Sequence, residues 1–425
     1  MSVSIRVIAL VASSILAFLS LPLFSSYEAG FIKNKHSQNE TFNRSQIFFS
    51  SIDNNAFLPH LTVTAIEQDS EGFIWFGTQG GLVKYDGNKT SVYDFSSYTS
   101  EFGVNNWVFD LFTDSENRIW VASGKGLSLY TPGNDSFQHF NLKNDFGIKH
   151  RDSIVEIIED RNNNVLFLTL ESDVIKLDSK SNQFSVIKSK KTGDSNSYKY
   201  SGMSIDSKDD LYIATRANGL FRYSNRNGKV EYFNSNNTLN WPTDSLMSVI
   251  VDSSDKVWLG TKNQGVFAFD PNTKEVFSYP AEENSNCNGQ VSKAIEDTFG
   301  KLWFATNKGL CSYSPNTDDF IRYEKNSFAK SSLLNNQIHS LLQDEGGVIW
   351  VGTQSGVNYW NAVFPSFQHI NKQSYRIIQS EHTTSFAEDS KGNFYVGTYG
   401  GGITKFEVDG GADQYVIGDG VEEII

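Results

Sequence analysis

The sequence predicts an all-β fold: a seven-bladed β-propeller of four-stranded antiparallel blades, followed by the incomplete start of a second propeller. A single eight-bladed propeller is the competing arrangement. Three observations carry this reading. One aspartate recurs eight times at intervals of 45 to 47 residues, each copy is followed at fixed spacing by a turn former, an aromatic or large apolar residue and usually a small one, and each interval holds four short apolar or alternating segments. Aromatic residues form 14% of the 425-residue chain and prolines number only 8, which suits strands joined by tight turns.

In chain order, residues 1–26 read as a signal peptide or membrane anchor. From Val7 to Phe24 the chain is uncharged and mostly apolar behind Arg6, sufficient for export and near the lower limit of about 17–20 residues for a membrane span. Ser25, Ser26 and Ala29 offer small residues for cleavage without a clean A-x-A pattern. Both fates therefore stand, and an uncleaved segment would hold the protein at the inner membrane. Residues 27–45 follow as a linker. Gln46-Ile47-Phe48-Phe49-Ser50 then resembles a fourth strand without its first three, the clasp that closes a ring by completing its last blade.

The recurring aspartates are Asp69, Asp114, Asp160, Asp206, Asp252, Asp297, Asp344 and Asp389. Three residues on comes a turn former: Gly72, Asn117, Asn163, Asp209, Asp255, Gly300, Gly347 or Gly392. Such a stretch is a hairpin turn, in which the carboxylate accepts backbone N–H bonds and the later residue takes positive φ. After three more residues stand Trp75, Trp120, Leu166, Tyr212, Trp258, Trp303, Trp350 and Tyr395, so five of the eight tryptophans occupy one repeat position. Two residues later a small residue is usual, with Leu168 the exception. It suits a strand crowded near the axis, while the tryptophan packs between sheets further out. An apolar strand precedes each aspartate; after the turn come a second strand such as Phe73–Thr78, a third opening on glycine such as Gly81–Tyr85, and a fourth such as Phe137–Phe140.

Residues 46–365 thus form the seven-bladed propeller. Pro365 breaks the strand rhythm, Ser366-Phe367-Gln368-His369-Ile370 repeats the opening strand, and residues 366–425 read as the first blade of an incomplete second propeller. In the eight-bladed alternative, Phe48 would instead pair with the blade near Asp389.

The recurring pattern Val-x-x-Ile-x-x-Asp-x-x-Gly-x-x-Trp-Val-Gly-Thr-x-x-Gly-Leu-x-x-Tyr is best preserved at Ile338–Tyr359 and Val63–Tyr85. It resembles the two-component regulator propeller repeat, over roughly residues 46–406. The resemblance implies the periplasmic sensor region of a hybrid histidine kinase or membrane-bound diguanylate cyclase. The chain carries no kinase histidine box and no cyclase motif, so the expectation is a periplasmic ligand-sensing module lacking its own output domain. Alternatives are a propeller enzyme acting on glycans, sialidase-like or a lyase, and a structural protein-interaction scaffold.

Charge and chemistry narrow the partners. With 36 basic against 49 acidic residues the net charge is −13, so nucleic acid is not an expected partner. No catalytic set, metal site or cofactor is expected: the Asp-x-x-Gly turns lack the alternating oxygens of a calcium loop, the histidines lack ligand spacing, and no nucleophile elbow or phosphate loop appears. Cys287 and Cys311 are expected as separate buried thiols, although export would permit a bridge. The expected ligand is an unknown small molecule or glycan, and a homodimer is allowed. Loops joining second to third strands and those joining blades should share one face around the channel. They bring Gln79, Lys125, Arg216, Asn218, Lys262, Gln264, Lys308 and Gln354 together with Trp107, His150 and Trp241. Trp107 and Trp241, outside the repeat position, are candidates for stacking on a flat ligand, the alternative being that they merely seal blades.

Overall fold

The structure, a computed structural model, describes residues 31–34, 47–52, 58–94, 106–124, 126–141, 145–146, 153–170, 173–188, 199–279, 287–315, 318–327, 331–362, 377–378, 380, 382–407 and 412–417. The chain divides into two compact units, Phe49–Pro365 and Met1–Phe48 with Ser366–Ile425. Among the described residues the first unit holds seven four-stranded antiparallel sheets and the second one five-stranded sheet.

Each sheet grows from the predicted turn. In the first, Val63–Gln68 and Ile74–Thr78 are joined through Asp69, whose Oδ1 accepts the N–H groups of Glu71 at 3.0 Å and Phe73 at 2.9 Å. The same carboxylate oxygen accepts the N–H four residues on in the remaining copies. The eight predicted turn formers all have positive φ, from 60° at Asp209 to 87° at Gly72.

The first strands are the innermost. Val63–Gln68, Val108–Thr113, Ile154–Glu159, Tyr200–Ile205, Leu246–Val251, Val291–Glu296 and Ile338–Gln343 touch in sequence, and the last touches the first. Each carries a β-bulge at its second residue, which bends the strand and raises its twist. At every one of the seven joints a hydrogen bond crosses between neighbouring first strands. Thr64, Ser201, Ser248, Ser292 and Ser340 donate hydroxyls to the carbonyls of Val108, Leu246, Val291, Ile338 and Val63, while Asp110 and Glu156 accept the N–H groups of Ile157 and Met203.

Blades crowd near the axis as the small residues imply. A Cβ on Gly77 would lie 2.6 Å from Cγ1 of Val108 in the next blade, and one on Gly352 would lie 2.8 Å from the carbonyl oxygen of Val63. Further out the tryptophans fill the gaps: Trp120 meets Phe167 edge-on at 5.1 Å, Trp303 meets Trp360 at 4.9 Å and Trp350 meets Phe76 at 6.0 Å.

Ser50–Ser51 pairs with Gly356–Asn361 and completes the seventh sheet. The clasp therefore closes on the blade of Asp344, and the eight-bladed arrangement, which needed pairing near Asp389, is overturned. Phe49 secures the clasp, packing edge-on against Trp360 at 5.2 Å and Tyr323 at 6.0 Å. In the second unit the sheet order is Phe31–Asn34, Ala412–Ile417, Gly402–Phe406, Phe394–Thr398, Thr383–Glu388. A strand thus lies within the stretch expected as a linker. Phe386, at the repeat position of buried Ile66 and Leu341, is exposed here. Cys287 and Cys311 are free and buried in one apolar cluster. Among the described residues no helix is long and apolar enough to cross a membrane; residues 7–24 lie outside the described part, as do Pro365 and 366–370.

Candidate functional site

The loops between second and third strands are built alike. A threonine ends the second strand and its hydroxyl caps the turn: Thr215 accepts the N–H of Asn218 at 2.8 Å, Thr261 that of Gln264 at 2.7 Å and Thr306 that of Lys308 at 3.0 Å. Each loop is then pinned to the segment entering its own blade. The N–H groups of Gln79, Arg216, Lys262 and Gln354 donate to the carbonyls of Thr62, Lys199, Ser245 and Gln337. Both loop sets therefore share one face, and with their backbones engaged Arg216, Lys262, Gln264, Lys308 and Gln354 present exposed side chains there. Asn218 is half-buried. Lys125 and His150 lie outside the described residues.

The two tryptophan candidates part company. Trp107 is half-buried beside Phe109, ring centroids 5.5 Å apart, and its carbonyl accepts the N–H of Gly124. Trp241 is only 6% exposed and is enclosed in the core between the fourth and fifth blades, with Phe267 and Phe269 edge-on at 5.1 and 5.3 Å. It sits as a seal between blades, because the apolar area of an indole is worth more in that gap than at the rim. Beside Gln264 a small depression is lined by Val266, Tyr279, Cys287, Asn288 and Phe320.

A second constellation, missed from sequence, lies within the ring of first strands. Lys293 of the sixth blade bridges to the third and second: its Nζ donates to Oε1 of Glu156 at 2.6 Å and stands 3.9 Å from Oδ1 of Asp110. Blades six and three are not neighbours in a ring of seven, so this side chain reaches across the hub. It retains 33% exposure there. Glu67 of the first blade belongs to the same electrostatic group. Burial pushes its carboxyl up to about 8, against the Gln68 N–H, with Asp110 adding to the rise and Lys293 opposing it. Asp110 is raised to about 6, again by burial first, with Lys293 opposing and Glu156 adding. For Lys293 burial favours the neutral amine, but Asp110, Glu156 and Glu67 together outweigh it and raise its pKa. A trace was present in the repeats: the third residue of the first strand is small in Ala65, Gly202, Ser248 and Ser340 and charged in Asp110, Glu156 and Lys293.

Among the described residues no group of three or more His, Cys, Asp or Glu side chains is arranged to hold a metal ion. The described residues offer a polar rim on one face and a charged cluster among the first strands.

Two stretches, residues 58–80 and 332–355, match the family model described as two component regulator propeller. No curated protein matches the sequence. Among solved structures, two extracellular domains from B. thetaiotaomicron, each described as part of a hybrid two component system, are similar. One is 24% identical with a TM-score of 0.68, covering 87% of this chain and 49% of the other; the second is 22% identical with a TM-score of 0.58, covering 88% and 48%. This chain thus spans about half the length of those domains. A virginiamycin B lyase from Staphylococcus aureus, solved with quinupristin, is 12% identical with a TM-score of 0.56, covering 74% of this chain and 98% of its own. These likenesses share the fold.

Proposed function

From the two component regulator propeller repeats that this chain carries, we propose a non-catalytic sensory module, exported to the periplasm, that recognises a small molecule or glycan on its loop face. Occupancy of that face biases the geometry of a receptor dimer. The observation that carries the reading is the rim itself: loops from successive blades, held by their own backbone hydrogen bonds, display Arg216, Lys262, Gln264, Lys308 and Gln354 to solvent on one side of a closed ring. Pre-ordered polar groups of this kind bind at little entropic cost. The likeness to extracellular domains of two-component systems supports the location and the sensory role.

The test is a thermal-shift screen of the purified chain against glycans and small metabolites, repeated with Arg216→Ala and Lys262→Ala. A hit at a hundredfold excess over Kd should stabilise by about 2.7 kcal/mol, and the rim variants, with unchanged melting in its absence, should lose that shift. Hits that survive both substitutions would move the site elsewhere. Chemical conversion of a hit would favour the enzyme reading.

A further inference from the structure

We propose that the hub is a proton-sensitive tie, in which Lys293 holds Glu156 and stands beside Asp110, so that the ring is most stable when Asp110 and Glu67 on the neighbouring first strand are neutral and loosens when both ionise. The geometry is that of three ionisable groups delivered by three different blades, with Glu67 on the first strand that packs beside that of Asp110. Lys293 and Glu156 form an ion pair across the hub at 2.6 Å, with Asp110 3.9 Å from the same ammonium. Among the described residues the first strands bring no second cation to balance three carboxylates. Their other ionisable side chains are Glu159 and Glu296, which accept hydrogen bonds from Ser115 and Ser253 in neighbouring turns, together with Tyr200 and His339. Burial pulls the His339 pKa down, so it supplies no compensating charge near neutrality. The second strands facing Glu67, Asp110, Glu156 and Lys293 carry no ionisable side chain.

The sign follows from proton linkage. Glu67 is raised from 4.5 to about 8 and Asp110 from 3.8 to about 6, so each binds its proton more tightly folded than unfolded. Stability from these groups is present at acid pH and is lost as pH rises through about 4 to 6 for Asp110 and about 4.5 to 8 for Glu67. Across that window Asp110 and Glu67 add negative charge beside the Lys293–Glu156 pair in a confined space, where charges interact more strongly than in water.

Thermal unfolding of the full chain at pH 5.5 and 8.5, at one ionic strength, tests this with Glu67→Gln and Lys293→Met. The wild type should melt lower at pH 8.5, and Glu67→Gln should remove at least half of that decrease. Lys293→Met should lower the melting temperature at least twice as much at pH 8.5 as at pH 5.5, because the carboxyls it leaves behind can protonate only at the lower pH. An equal loss at both values would mean that Lys293 serves packing alone and would overturn the proposal. If Lys293→Met does not fold, Glu67→Gln decides: a pH dependence identical to wild type sinks the tie.

Discussion

Trp350 donates its indole N–H to Oδ2 of Asp344, six residues upstream, at 2.8 Å. The same bond joins Trp75 to Asp69, Trp120 to Asp114, Trp258 to Asp252 and Trp303 to Asp297, all at 2.7 to 2.8 Å. Tyr212 and Tyr395 make it with their hydroxyls at 3.2 Å. In these seven copies one oxygen of the aspartate builds the turn while the other fixes the aromatic ring six residues on. The two most regular residues of the repeat are thus one device.

Trp350→Ala should cost on the order of 3–5 kcal/mol. The ring is 8% exposed and packs with Phe76, Ile74 and Val83 of the first blade, so its removal leaves a cavity at the joint where the ring closes. Urea unfolding measures the loss, and a value below about 1 kcal/mol would show the indole unpacked.

The shared device predicts coupling. A double-mutant cycle of Asp297→Ala and Trp303→Phe should return an interaction energy of about 1.5–3 kcal/mol, the range for a hydrogen bond to a charged group. Additive losses would mean that the two residues act separately.

The third blade replaces the indole with a different donor. Leu166 stands at the tryptophan position, and Asn164 donates from Nδ2 to Asp160 at 2.8 and 2.9 Å while its Oδ1 accepts the N–H of Ser179. Asn164→Ala should therefore lose about 1–3 kcal/mol by leaving a buried carboxylate short of a donor, again read from denaturant midpoints. Wild-type stability would contradict the substitution of roles.

Phe49→Ala should release the clasp. The ring is 5% exposed against Trp360 and Tyr323, and its backbone N–H donates to Ser331. A loss of about 3–5 kcal/mol is expected, together with self-association as the Gly356–Asn361 edge opens. Size-exclusion chromatography with light scattering checks the second effect; an unaltered assembly state with unaltered melting would place ring closure elsewhere.

Much of this architecture was legible in the repeat, because a four-stranded unit that cannot bury both faces alone writes the same kind of turn into every copy and a small and an aromatic residue into most. The eight turns, their positive-φ residues, the crowded small positions at Gly77 and Gly352 and the clasp all follow from local spacing plus closure. Trp241 was less legible, since a lone tryptophan in a loop reads alike whether it meets a ligand or a core.

Sequence alone determined the blade, because turn geometry and strand alternation act over a few residues. Only the tertiary structure decided which blade the Ser50–Ser51 strand completes, that five of the aspartates hold the indole six residues on, and that Lys293 meets Glu156 and Asp110 across the hub. Those relations depend on the curvature with which seven sheets close, a property of the whole ring that brings residues 137 apart in sequence into contact.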